Sequence, residues 1–169
     1  MYPFSTMGAH VSAVPNHQTE RTVSLETRGN IAMVGQLGYE LDITKMTDDE
    51  IAEVKKQIDT YKSLEDVFHR GDFYRLMSPY DSNYTAWQFV SDDKQRVVLC
   101  LSRLYSRAFQ PHCMIKLSGL DKSANYKEKT TGKIFSGGVL SEIGFNPAIY
   151  LEEKGDYVSK LFVFDKIEC

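Results

Sequence analysis

The chain has 169 residues, a formal net charge of −3 at neutral pH and an isoelectric point near 5.8. Its 20 lysines and arginines are scattered among 23 acidic residues instead of forming one basic stripe, which argues against nucleic acid as a partner. Apolar runs such as VVLCL at 97–101 are far shorter than the roughly 20 residues a helix needs to cross a bilayer, so no membrane partner is expected.

The first elements are two short apolar segments, 9–14 and 31–37, joined by a polar loop that holds Pro15, Asn16, Gln18 and Thr19. Short continuous runs of this kind fit strands buried on both faces of an α/β sheet. Thr47 followed by Asp48, Asp49 and Glu50 forms a capping box, with Met46 and Ile51 as its hydrophobic staple. Ile51, Val54, Ile58, Tyr61 and Leu64 recur at spacings of three and four, opposite a polar face of Glu53, Lys56, Asp59 and Lys62. The helix is expected to end near Arg70, with Gly71 as a left-handed cap.

From Asp72 the period shortens. FYRLM, YTAWQFVS, QRVVLCLSRLYS, HCMIKLSG and YVSKLFVFDK are separated by proline, aspartate and glycine, which is the pattern of an antiparallel sandwich. Turns are expected at 91–94 and at Thr131-Gly132-Lys133. The fold class is therefore α+β. Two regions are expected, 1–71 and 72–169, with the closing helix of the first at about 48–70.

Cys100, Cys113 and Cys169 form an odd set without CxxC spacing, so neither a disulfide framework nor a zinc site is suggested. Cys100, inside an apolar run, reads as a small buried hydrophobe. The N-terminus lacks the charged region and apolar core of a signal peptide, and a cytoplasmic location is expected.

The segment MGAHVSAVPNHQTERTVSLETRGNIAMVGQLGYELD at 7–42 resembles the glycoside hydrolases of family 36, the microbial α-galactosidases. The similarity continues through TDDEIAEVKKQIDTYK, GDFYRLMSP and SGGVLSEIGFNP, and covers roughly 2–147. It implies that the first region is a fragment of a (β/α)8 barrel, its last strands and closing helix, followed by a C-terminal antiparallel β-sandwich. A whole barrel needs about 250 residues, more than this chain holds. The family cleaves with retention through two aspartates, a nucleophile and an acid/base. The resemblance places both before Met1, so no catalytic residue is assigned here.

Side chains near the C-terminal end of a barrel strand can border a substrate pocket. His10, Asn16 and Arg28 are the candidates for substrate binding, each with a structural alternative: hydrogen bonding for His10, turn formation for Asn16, and a carboxylate clamp in the barrel wall for Arg28. Glu40 and Asp42, two apart, would share one side of a strand and read as a solvated pair near Lys45. His10 and His17 lack a third ligand at zinc spacing. Trp87 shares a strand face with Phe89 and Thr85, opposite Ala86 and Val90, and is expected in a core between two sheets. Tyr80, Tyr84 and Tyr105 could make a surface aromatic patch.

The resemblance thus implies the C-terminal part of an α-galactosidase that removes terminal galactose from raffinose- or melibiose-type oligosaccharides, with no metal or organic cofactor. Its partners would be those α-galactosides and the missing N-terminal part of the barrel. A homo-oligomer, common in the family, remains open. This chain alone is expected to be inactive. The competing reading is a non-catalytic β-sandwich that binds carbohydrate or protein, and a third is a split enzyme whose catalytic half is encoded separately.

Overall fold

A computed structural model describes residues 2–109, 113–152 and 154–168. The backbone divides into two compact units, Met1–His69 and Arg70–Cys169. Among the described residues, no helix is long and apolar enough to cross a membrane.

The first unit opens with β1 (Gly8–Ser12), α1 (Leu25–Ala32) and β2 (Gln36–Glu40). The two strands are parallel, in register from Gly8 opposite Gln36 to Ser12 opposite Glu40. Parallel neighbours require a crossover, and α1 supplies it. The apolar stretch at 31–37 is thus not one strand. Its first residues finish α1, and the strand begins at Gln36. Hydrophobic periodicity misses α1 because the residues it buries are Thr27, Gly29, Asn30 and Ala32, which are small or polar. Its remaining sequence signal is Ser24, whose hydroxyl accepts from the Thr27 amide at 3.3 Å.

Helix α2 (Asp48–Arg70) starts with the expected capping box. Glu50 accepts from the Thr47 amide at 2.9 Å, and the Thr47 hydroxyl accepts from the Glu50 amide at 3.2 Å. Of the expected stripe only Leu64 is fully buried; the burial moves one turn further, to Val67 and Phe68, and also takes in the polar Gln57. The glycines with positive φ among the described residues are Gly119, Gly132, Gly144 and Gly155, so Gly71 does not end this helix in the left-handed conformation.

The second unit is one antiparallel sheet of β3 (Asp72–Met77), β4 (Tyr84–Val90), β5 (Arg96–Arg103), β6 (Asn125–Glu128), β7 (Ile134–Ser136) and β8 (Val158–Ile167). The order is β3-β4-β5-β8-β6-β7. Both expected turns are present. Ser91 and Asp93 side chains close the β4–β5 hairpin, while Gly132 at φ +68° turns β6 into β7 over the buried Glu128 carboxylate.

One face of the sheet, carrying Ala86, Leu99, Phe162 and Phe164, packs under a second layer from residues 113–120, α3 (Gly137–Glu142) and 145–151. HCMIKLSG alternates as predicted, with Cys113, Ile115 and Leu117 buried and Met114 and Lys116 exposed, yet its described part forms no strand. Ile115 makes an isolated bridge with Phe145. Buried Gln88 accepts from the Ser118 amide at 3.1 Å and donates to the Ser118 carbonyl, replacing a strand partner with a side-chain amide.

Trp87 is displaced from its expected place. The hydrophobic core uses the Ala86 and Val90 side of β4, whereas half-buried Trp87 packs edge-on to Phe89 on the opposite side, with centroids 5.7 Å apart. Alternation correctly pairs Trp87 with Phe89, but it does not say which face the second layer covers.

Ahead of β6, Asp121 accepts from the Ser123 hydroxyl at 2.6 Å and from Lys166 at 2.9 Å. The Ser123 bond first, and Lys166 after it, hold this carboxyl well below the usual carboxylate range. A depressed folded-state value means that the unfolded chain binds the proton more tightly. The contribution is therefore complete above about pH 4 and is lost as pH falls. Asp121→Asn is expected to lower the urea midpoint at pH 7, with a narrower gap from wild type at pH 3 that closes only as pH falls through the folded-state value. An equal gap at both values would exclude this linkage.

Candidate functional site

The C-terminal ends of parallel strands are where α/β proteins place ligands, and here they are Ser12 and Glu40. Side chains alternate across the pair. Ala9, Val11, Leu37 and Tyr39 point to one face, where Val11 is fully buried and the Tyr39 hydroxyl donates to Gln57 at 2.9 Å. Gly8, His10, Ser12, Gln36, Gly38 and Glu40 share the other. On that face His10 and Glu40 are 57% and 76% exposed, and His10 Nδ1 lies 3.7 Å from Glu40 Oε2. The imidazole rests against Gly38, where an added Cβ would stand 3.0 Å from His10 Cδ2.

The loop between β1 and α1 rises from the same strand end. Asn16 organises it: the side-chain oxygen accepts from the Gln18 amide at 3.1 Å and from the Thr19 amide and hydroxyl at 3.0 and 3.1 Å. Arg28 ties the loop ends, donating to the carbonyls of Ser12 and Val23. Burial lowers the guanidinium's pKa and Glu50 partly offsets this. Arg28 thus grips two backbone carbonyls where a carboxylate was expected. Of the three candidates, His10 alone extends from a strand to the exposed face, while Asn16 and Arg28 shape the adjoining loop.

Glu40 faces His10, and Asp42 lies 3.5 Å from Lys45, the cation expected beside it. Asp42 caps a short 3-10 turn, accepting from the Thr44 hydroxyl at 2.6 Å and the Thr44 amide at 3.0 Å, and the hydroxyl bond chiefly lowers its pKa. His17 is exposed, and among the described residues no three His, Cys, Asp or Glu side chains gather as a metal site.

Sequence reasoning missed Gln57, which joins all three elements behind the site. It accepts from the Tyr39 hydroxyl and donates to the Leu25 carbonyl at 3.0 Å and to Glu53 at 3.1 Å. Its position among helix polar residues gave no hint beyond a glutamine at a core-facing spacing. Tyr84, expected in an aromatic surface patch, is buried in the core, while Tyr80 is almost wholly exposed. The Asn83 amide, part of a formal glycosylation sequon, is buried and donates to the Tyr105 carbonyl at 2.9 Å.

The melibiase family model matches residues 1–71, and the glycosyl hydrolase family 36 C-terminal domain matches 84–164. The chain is 44% identical over 144 residues to the α-galactosidase AgaA of Geobacillus stearothermophilus, covering 85% of this chain and 20% of that one. The chain belongs to glycoside hydrolase family 36. Its fold is that of the C-terminal part of a family 36 α-galactosidase, where the last barrel elements lead into the C-terminal domain.

Two solved family 36 structures agree. The galactosidase domain of AgaSK, a protein of Mediterraneibacter gnavus, matches at TM-score 0.92 and 37% identity over 98% of this chain and 23% of that one. An AgaA variant in complex with raffinose matches at TM-score 0.91 and 40% identity, with the same coverage. This chain therefore spans about a fifth of the length of the family 36 proteins it matches.

Proposed function

We propose that this chain is the C-terminal part of a retaining α-galactosidase acting on terminal galactose of raffinose- or melibiose-type oligosaccharides. Residues 1–71 belong to the end of the catalytic barrel, and 72–169 form the C-terminal domain that follows it in the sequence. The observation that carries this reading is the parallel β1–α1–β2 unit with one face covered and the other open and polar, as a barrel wall between helices and lumen requires. Raffinose bound to the AgaA variant supports the substrate class.

In this reading His10 borders the pocket, and Asn16 and Arg28 hold the neighbouring loop in shape. The nucleophile and acid/base come from barrel residues outside this sequence, and no metal or organic cofactor takes part. The N-terminal part of the barrel is the required partner, with homo-oligomerisation compatible. A cytoplasmic setting accords with two free, buried thiols, Cys100 and Cys113, pushed by burial to about 12 and about 11.

A chimera tests the proposal. With this chain in place of the matching segment of AgaA, raffinose hydrolysis is expected within about tenfold of AgaA itself, a difference near 1.4 kcal/mol in the barrier. A folded chimera that binds raffinose but does not cleave it would contradict it.

A further inference from the structure

The polar side chains at the C-terminal ends of β1 and β2 differ in what they have left to offer a ligand. The Asn16 oxygen already accepts three bonds within its own loop, and Arg28 donates to two backbone carbonyls. Asp42 is taken up by Thr44 and Lys45. Against the Glu40 carboxylate, the one polar side chain among the described residues is His10, whose Nδ1 lies 3.7 Å from Oε2. An ionised carboxylate has two oxygens and about four acceptor positions, so most of the capacity of Glu40 is unused.

The two side chains lie along the strands in a fixed order. The imidazole leans over Gly8 and Gly38, where an added Cβ would stand 3.7 and 3.6 Å from Nε2. Gly8 precedes His10 by two residues, so Nε2 is turned toward the N-terminal end of the strand and Nδ1 toward Glu40. Glu40 is the last residue of β2, on the open face and at the end where parallel strands place ligands. Exposed ion pairs of this kind add little to stability, so folding does not account for the arrangement.

We propose that Glu40 is a specificity-determining residue: its carboxylate, oriented by His10, accepts a hydrogen bond from a hydroxyl of the bound α-galactoside. This rests on the reading given under Proposed function. A sugar hydroxyl supplies the donor that an acceptor-only carboxylate needs, and a bond to an ionised group is stronger than one between neutral partners. His10 is a positioning residue. Its Nδ1–H is directed at Oε2, which leaves Oε1 to the sugar. The hydroxyl keeps its proton throughout, so Glu40 is neither of the two carboxylates that cleave the glycosidic bond.

The test uses the AgaA chimera that carries this chain, with Glu40→Gln, Glu40→Ala, His10→Ala and His10→Asn. Calorimetry reads the raffinose Kd, and galactose release reads kcat and KM. Glu40→Ala is expected to weaken binding and lower kcat/KM about a hundredfold, and Glu40→Gln about tenfold, with kcat changed less than about threefold. His10→Ala should weaken binding about fivefold. His10→Asn, whose amide donates from near the Nδ1 position, should restore it to within about twofold. Comparison with p-nitrophenyl α-galactoside locates the hydroxyl: equal losses place it on the galactosyl ring, and a loss confined to raffinose places it on the attached sugar. In the full chain alone, nitrogen chemical shifts of His10 in alkaline solution should show the proton on Nδ1.

Raffinose Kd and KM within about twofold of the unchanged chimera in both Glu40 variants would overturn the proposal. A proton on Nε2 of His10 in the full chain would overturn it as well. An unchanged chimera that binds raffinose without cleaving it counts against the galactosidase reading alone, since the Kd values still decide the role of Glu40. A chimera that does neither contradicts both.

Discussion

Phe145→Ala is expected to cost about 3–5 kcal/mol, a large part of what holds a domain of this size together. Phe145 joins the second layer to the sheet. Its ring lies 5.3 Å from Phe162, 5.4 Å from Phe164, 5.5 Å from Phe135 and 5.7 Å from Tyr150 by centroid. Its backbone pairs in both directions with Ile115, at 2.8 Å each way. Phe135, Phe162 and Phe164 are held by their own strands and cannot collapse into the space left by the ring, so the cavity term adds to the lost transfer free energy. Urea unfolding followed by Trp87 fluorescence measures it. A loss below about 1 kcal/mol would mean that the layer is held by other contacts.

Gly29→Ala is expected to destabilise the first unit by roughly 1–3 kcal/mol even though alanine is the better helix former by about 1 kcal/mol. A Cβ at Gly29 would stand 2.3 Å from Gln57 Oε1. That glutamine could move only by giving up its bonds to Leu25, Tyr39 and Glu53, and it is buried. Hydrogen exchange of the α1 and α2 amides reads the effect. Gln57→Ala makes room, so the double variant should cost less than the sum of the single changes. Strict additivity would show that Gly29 and Gln57 do not share the contact.

What could be read from the sequence differs between elements for identifiable reasons. Helix α2 declares itself through Thr47 and Glu50 because the capping box is local chemistry, independent of tertiary context. Strands β3, β4, β5 and β8 follow from alternation, which also marks 113–117, a segment that alternates without forming a strand, whereas β6 and β7 are signalled only by the Thr131-Gly132-Lys133 turn between them. Helix α1 was hidden because a short helix packed through Thr27, Gly29 and Asn30 leaves no apolar stripe. Alternation pairs Trp87 with Phe89 as the structure does, but period two does not distinguish sides, and the core lies on the opposite face.

The site was legible in part. The strand position of His10 is legible from its sequence, and the structure places its side chain on the exposed face beside Glu40. Asn16 and Arg28, candidates for substrate binding, make bonds that run to backbone groups of the loop, which sequence spacing cannot show. Gln57 was invisible for the converse reason: its three partners lie on β2, α1 and its own helix, and only the fold brings them together.

The proposed function requires these residues to build a wall beside a sugar-cleaving centre without providing the groups that break the bond. The most direct measurement is nitrophenol release when this chain alone is incubated with p-nitrophenyl α-galactoside. No release above the uncatalysed background is expected, with Glu40→Gln and Asp42→Asn indistinguishable from the unchanged chain. Steady turnover that falls in either variant would place catalytic carboxylates within these 169 residues and contradict the account.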